Sequence, residues 1–170
     1  MRNLKLVLLC LMLTVLGCGS SNGYNLNGIS VAEDVKTFQV NNFYNNAEIV
    51  EPGIDRQFTK RLQELVKNQT RLALDINSAD LVYEGEITQF RVTPMTATAN
   101  QRASQNRLTV TVNVRFTNNR NKKDDFEKPF SFYYDYDANM LLTGAMLNTA
   151  LDEIFERITQ DIFNESLAKW

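Results

Sequence analysis

The sequence predicts an α/β (α+β) two-layer sandwich: two helices packed on one face of a four-stranded mixed sheet, in the order β-α-β-β-β-α. Three observations carry this. Apolar residues recur at helical spacing over 54–66 and 147–167. Before and between those stretches apolar and polar residues alternate, the period of a half-buried strand. The chain has 170 residues, 44% of them hydrophobic, enough for one modest core and too apolar for a disordered chain.

The first element is an address. Arg2 and Lys5 precede Leu6 to Leu16, an apolar run interrupted only by Thr14. A membrane-spanning helix needs about 20 such residues, so the run matches the core of a signal peptide. It ends Val15-Leu16-Gly17-Cys18, which resembles the bacterial lipobox, with Cys18 as the lipidated residue. Cys10, inside the run, is a poor cleavage site. The predicted organisation is 1–17 signal peptide, 18–28 lipidated cysteine and flexible tether, and 29–170 a single domain. Several acyl chains on Cys18 would hold the protein stably to a bilayer.

In the body, Phe38 and Val40 share one face of a short strand. Ile54, Phe58, Leu62, Leu65 and Val66 make one helical stripe, with Pro52 just before it. Leu72, Leu74 and Ile76 alternate as a short strand. Leu81, Tyr83 and Ile87 share a face, whereas Phe90 and Val92 fall out of phase, so a bulge is expected near Thr88. The second strand is therefore read as split or bulged. Leu108, Val110, Val112, Val114 and Phe116 alternate with polar partners, a charged turn follows over 118–125, and Phe130, Phe132, Tyr134 and Tyr136 mark the last strand. Leu147, Leu151, Ile154, Phe155, Ile158, Ile162, Phe163 and Leu167 line a final helix. The first β-α-β unit implies a parallel pair, and the next three strands an antiparallel meander. The free sheet face would then show Glu84, Glu86, Thr88, Thr109, Thr111, Asn113, Arg115, Tyr133 and Asp135.

Composition removes several kinds of chemistry. There is no His, so a His base, a His-activated nucleophile and a His-ligated zinc are excluded. The 18 Lys and Arg against 20 Asp and Glu argue against a nucleic-acid surface. Asp135 to Asn139 opens like a calcium loop, but Met140 and Met146 occupy the positions that need Gly and Glu. The pairs Asp124-Asp125, Asp152-Glu153 and Glu84/Glu86 read as surface charge rather than a glycosidase pair. No phosphate loop, dinucleotide fingerprint or nucleophile elbow is present.

The connection Pro94 to Asn106 is long for two adjoining strands, a length that usually marks function or mobility. Arg91, Arg102 and Arg107 flank or occupy it, and Arg115, Arg120, Lys122 and Lys123 lie on or beyond the next strand. If they converge, they suit an anionic head group such as a phosphate. The bland alternative is scattered, solvated charge.

The layout resembles the LptE family of lipopolysaccharide-assembly lipoproteins, in a version like that of Bacteroidetes. The residues that carry this are Gly17-Cys18-Gly19 with Tyr24, Phe38-Gln-Val40-Asn41-Asn-Phe43-Tyr-Asn45, Ala79 to Ile87, Arg107 to Val112, and Asp161-Ile162-Phe163-Asn164 with Ala168-Lys169-Trp170. The resemblance implies an outer-membrane lipoprotein, anchored at the periplasm-facing leaflet, that plugs the LptD β-barrel and helps it assemble. It implies lipopolysaccharide as ligand, no cofactor and no enzymatic activity. On that reading Arg91, Arg102, Arg107, Arg115, Lys122 and Lys123 are candidate lipopolysaccharide contacts. Thr109, Thr111, Asn113 and Tyr133 are candidate barrel contacts. The competing expectation is a periplasm-facing adaptor or ligand-binding lipoprotein of another envelope transport system.

Overall fold

The computed structural model describes residues 31–49, 51–95 and 104–168. The signal peptide, Cys18, the tether and Arg102 lie outside the described residues. The elements are β1 (Thr37–Val40), β2 (Tyr44–Asn45), α1 (Ile54–Gln69), β3 (Ala73–Leu74), β4 (Leu81–Met95), β5 (Gln105–Asn118), β6 (Phe126–Asp137) and α2 (Gly144–Leu167). A short 3-10 turn, Lys122–Asp124, joins β5 to β6.

The expected helices and mixed sheet are present, but the sheet has six strands, not four. Its order is β3-β1-β4-β5-β6, with β2 also paired to β4. β1 runs parallel to both β3 and β4, while β4, β5 and β6 form the antiparallel meander. Two corrections explain the extra strands. Residues 72–76 do not continue the second strand. They cross to the far side of β1, where Ala73 and Leu74 pair with Thr37 and Phe38, Leu72 is buried and Ile76 is exposed. The first strand ends at Val40 as its pattern indicates, but after a break a further short strand lies within 41–52, where a connection is expected: β1 pairs with residues 81–83 of β4, and β2 with Glu86 and Ile87.

Phe43 causes that break. Its ring leaves the strand line and enters the core, 4.9 Å edge-on from Phe58, which sits 5.2 Å from Phe155. The Phe43 amide donates to Thr59 Oγ1 at 3.1 Å, so the interrupted backbone is satisfied. The ring lies over Gly85. A Cβ there would come within 2.8 Å of the ring and collide with the Asn113 carbonyl, so only glycine permits this approach.

The inward residues of β4 and β5 and the stripes of α1 and α2 form one cluster. Phe58, Leu62, Val66, Ile154, Ile158 and Ile162 are fully enclosed. Losing a side chain such as Phe58 costs about 3–5 kcal/mol in a core of this kind. The expected bulge is present: the β4–β5 register shifts between Ile87 and Gln89, which returns Phe90 to the core side. β4 and β5 also run further than their sequence patterns indicate. They remain paired to Met95 and Gln105, so the ends of the expected 94–106 connection belong to the ladder, and Arg91 and Arg107 sit within the strands.

Candidate functional site

The helices cover one face of the sheet, and the register fixes the other face row by row. Across β4, β5 and β6 the rows are Glu84–Arg115–Glu127, Glu86–Asn113–Pro129, Gln89–Thr111–Ser131, Arg91–Thr109–Tyr133 and Thr93–Arg107–Asp135. Apart from Pro129 and the Tyr133 ring, every side chain in these rows is polar or charged, because period-2 alternation sends each apolar neighbour to the core.

The rows are laced together. Arg115 donates to Glu127 at 2.9 Å and to Glu84 at 3.2 Å, spanning three strands. Those bonds hold the Glu127 carboxyl below the usual carboxylate range and raise the Arg115 guanidinium. Asn113 donates to Glu127, and the Thr111 hydroxyl meets Gln89 Oε1 at 2.9 Å and Ser131 Oγ at 3.0 Å. Arg107 grips Asp135 with two bonds of 2.7 and 2.8 Å, and its guanidinium carbon lies 3.6 Å from the Tyr133 ring centre. The Arg107 bond lowers the Asp135 pKa against the opposing effect of burial. Beside the first rows, a cleft of about 530 Å³ is lined by Tyr44, Glu84, Glu86, Asn113, Arg115 and Glu127. Its carboxylates disfavour anions.

The candidate basic residues do not converge on one point. Arg91 and Arg107 occupy neighbouring rows at one end of the face. Arg115 lies eight residues from Arg107 along β5, about 26 Å away at strand rise. Lys122 and Lys123 lie on the 3-10 turn beyond it. Arg107 and Arg115 are committed to carboxylates, and Lys122 is 3.8 Å from Asp125. Among the described residues Arg91 has a single long ion pair, 3.6 Å to the exposed Glu48. Thr109, Thr111, Asn113 and Tyr133 do share one face, as alternation predicts.

Sequence reasoning missed two anchors. Asp80, only 7% exposed, accepts from the amides of Lys36 and Thr37 and from Arg120 Nε at 2.6 Å, which ties β1, β4 and the β5–β6 turn together. These bonds, the Lys36 amide foremost, take its pKa down to about 2. The Tyr83 hydroxyl reaches Ser166 on α2. Neither partner is near in sequence, so no local pattern exposes them.

Among the described residues no group of three or more Cys, His, Asp or Glu could hold a metal, and no helix is long and apolar enough to cross a membrane. The domain is two-layered, with one side covered by helices and the other an open, interlocked polar face. The chain belongs to the LptE lipopolysaccharide-assembly family, whose model matches residues 35–166. Among curated proteins none matches significantly. Protein CT253 from Chlamydia trachomatis shares the fold at 9% identity and TM-score 0.53, covering 79% of this chain and 99% of that one. A neuraminyllactose-binding hemagglutinin homologue from Helicobacter pylori does so at 9% identity and TM-score 0.53, covering 84% and 91%. At these identities the likeness concerns the fold alone.

Proposed function

We propose that this chain is an outer-membrane lipoprotein, lipidated at Cys18 on the periplasm-facing side, that plugs the lumen of an LptD-like β-barrel. It helps the barrel assemble and holds lipopolysaccharide during its insertion in the outer leaflet. The observation that carries the reading is the open sheet face. Barrel lumens are polar, and a plug must meet them with hydrogen-bonding groups rather than an apolar patch. Thr109, Thr111, Asn113 and Tyr133 stand on that face as the barrel contacts. Arg91 and Arg107, with Arg102 in the adjoining connection, form the end offered to lipid A phosphates. Arg115, Lys122 and Lys123 serve the opposite end, where β1 begins. No cofactor takes part.

The test is affinity isolation of the tagged, lipidated chain from detergent-solubilised outer membranes, with mass spectrometry of what accompanies it. The reading expects a stoichiometric large barrel protein. A soluble or inner-membrane partner in its place refutes it and favours an adaptor of another envelope system.

A further inference from the structure

β3 forms one margin of the sheet, with β1 on its inner side and no described strand beyond it. The Ala73 amide donates to the Lys36 carbonyl at 2.9 Å and the Asp75 amide to the Phe38 carbonyl at 3.0 Å. Alternation then turns the amide and carbonyl of Leu74 outward, away from β1. Its side chain stays on the helix side, because Leu74 pairs with the fully buried Phe38. The apolar residues along this margin are uncovered in steps: Leu72 is 7% exposed, Leu74 43% and Ile76 72%. The described chain begins beside the root of this strand. Val31 and Ala32 line one cleft of about 530 Å³ with Asn68 to Leu72, and Val31 packs against the core.

We propose that residues 24–26 of this chain, Tyr-Asn-Leu, add to the outer edge of β3 as an antiparallel strand, with Leu26 opposite Leu74 and Tyr24 opposite Ile76. The segment lies just ahead of the point where the described chain begins. Leu26 is five residues from Val31, about 17 Å when extended, so it reaches the whole of this short margin. Coming from Val31 at the root of β3, it runs alongside in the opposite direction, and Asn27-Gly28 supplies residues suited to the bend. Tyr24 and Leu26 are two apart, as Leu74 and Ile76 are, so one register sets both on the helix side and leaves Asn25 on the open face. Residues 19–30 carry no charge, so no ionic group of the segment is dehydrated at the margin. Being covalently joined, the segment meets the edge at an effective concentration on the order of millimolar. It also avoids the association cost that a second copy or a separate partner must meet. With Cys18 lipidated, on which the proposed function rests, docking leaves only residues 19–23 as the link to the lipid. The β3 margin is then held within about 20 Å of the bilayer surface, against about 45 Å for a link running to Val31.

The test measures single-amide hydrogen exchange on the lipidated mature chain, purified in detergent. The Leu74 amide is expected to exchange at least about a hundredfold more slowly in the parent than in Tyr24→Ser/Leu26→Ser, and that variant should unfold at a lower denaturant concentration. Cross-linking supplies the register. Acylated Cys18 offers no thiol and Cys10 leaves with the signal peptide, so Leu26→Cys/Leu74→Cys places two thiols alone. Directly opposite residues of an antiparallel pair stand about 5.5 Å apart at Cα, within disulfide reach, and the bond is expected to close within one chain. Asn25→Cys/Leu74→Cys, with side chains on opposite faces, should close at least about tenfold more slowly. Fast Leu74 exchange in the parent, or equally slow exchange in Tyr24→Ser/Leu26→Ser, overturns the proposal. A 26–74 disulfide formed only between copies overturns it in favour of self-pairing. Leu74 protection that appears only in outer-membrane vesicles overturns it in favour of a partner. Intact mass reads acylation separately: an unmodified Cys18 refutes the anchor, and Leu74 exchange still decides the strand.

Discussion

The Tyr83 hydroxyl meets Ser166 Oγ at 2.9 Å inside the core, joining the middle of the sheet to the last turn of α2 across 83 residues of chain. Ser166 also donates to the Ile162 carbonyl at 2.8 Å, so the Tyr83 hydroxyl is the donor in the shared bond. The two truncations should therefore be unequal. Tyr83→Phe leaves Ser166 its carbonyl partner and should cost about 1 kcal/mol. Ser166→Ala strands a buried phenol and should cost about 1–3 kcal/mol. Denaturant midpoints of the two variants decide this, and equal costs would contradict the assigned donor.

Burial raises the Tyr83 phenol above its usual pKa of 10.0. The folded state thus keeps a proton that the unfolded state loses. Stability from this group is complete below about pH 10 and falls as pH rises beyond it. The alkaline decline of the unfolding midpoint should be shallower in Tyr83→Phe than in the parent.

At Asp80 the sign is opposite. The folded carboxyl titrates at about 2, against 3.8 without its partners. The unfolded chain binds the proton first, so the stabilisation is present above about pH 4 and lost as pH falls toward 2. Its size is about 2 kcal/mol. Asp80→Asn should lose about this amount at neutral pH and show a flatter acid limb in urea titrations. An unchanged acid limb would remove Asp80 from its stapling role.

Gly85→Ala should be among the most damaging small changes in the chain, because the added methyl meets the Asn113 backbone and the Phe43 ring together. Pairing it with Phe43→Ala relieves only the ring contact. The double variant should cost less than the sum of the two single changes, as a double-mutant cycle would show.

What the sequence disclosed follows from periodicity. The stripes of α1 and α2 and the alternation in β5 could be read because each segment buries one face, and the slip at Phe90 pointed to the bulge. The end of β1 at Val40 could be read, but β2 and the burial of Phe43 could not, because Phe43 enters the core through contacts with Gly85, Phe58 and Thr59, all distant in sequence. The 72–76 segment misled because Leu74 and Ile76 alternate like core residues, yet they occupy a sheet margin that no helix covers. For the candidate site, the polar face was legible as the complement of the apolar one. The ion pairs of Arg107 and Arg115 were not, since register chooses those partners.

At the end of the face beside the 96–103 connection, Arg91 meets the exposed Glu48 at 3.6 Å, whereas Arg107 is gripped by Asp135 at 2.7 Å. Arg91→Glu should weaken binding to vesicles containing lipid A by roughly tenfold, about 1.4 kcal/mol, with no change against dephosphorylated lipid A. Exposed pairs contribute about 0–1 kcal/mol, so the fold should be unaffected. Equal binding by parent and variant would remove Arg91 from the lipid site.

Thr111 tests which surface meets the barrel. It sits on β5, between β4 and β6, in the middle row of the open face, and its side chain points away from both helices. Thr111→Trp forfeits the contacts to Gln89 and Ser131 but leaves the packed layer intact, so its stability cost should stay near 1 kcal/mol. A ring projecting from a surface that lies against a lumen wall cannot be accommodated, and recovery of the barrel partner should fall about tenfold or more. Glu64→Trp, on the exposed side of α1, supplies the control, since Glu64 there holds only a 3.7 Å contact with Lys60. If both variants lose the partner equally, the sheet face has no special claim to the interface. Loss confined to Thr111→Trp identifies the open face as the surface that the barrel grips.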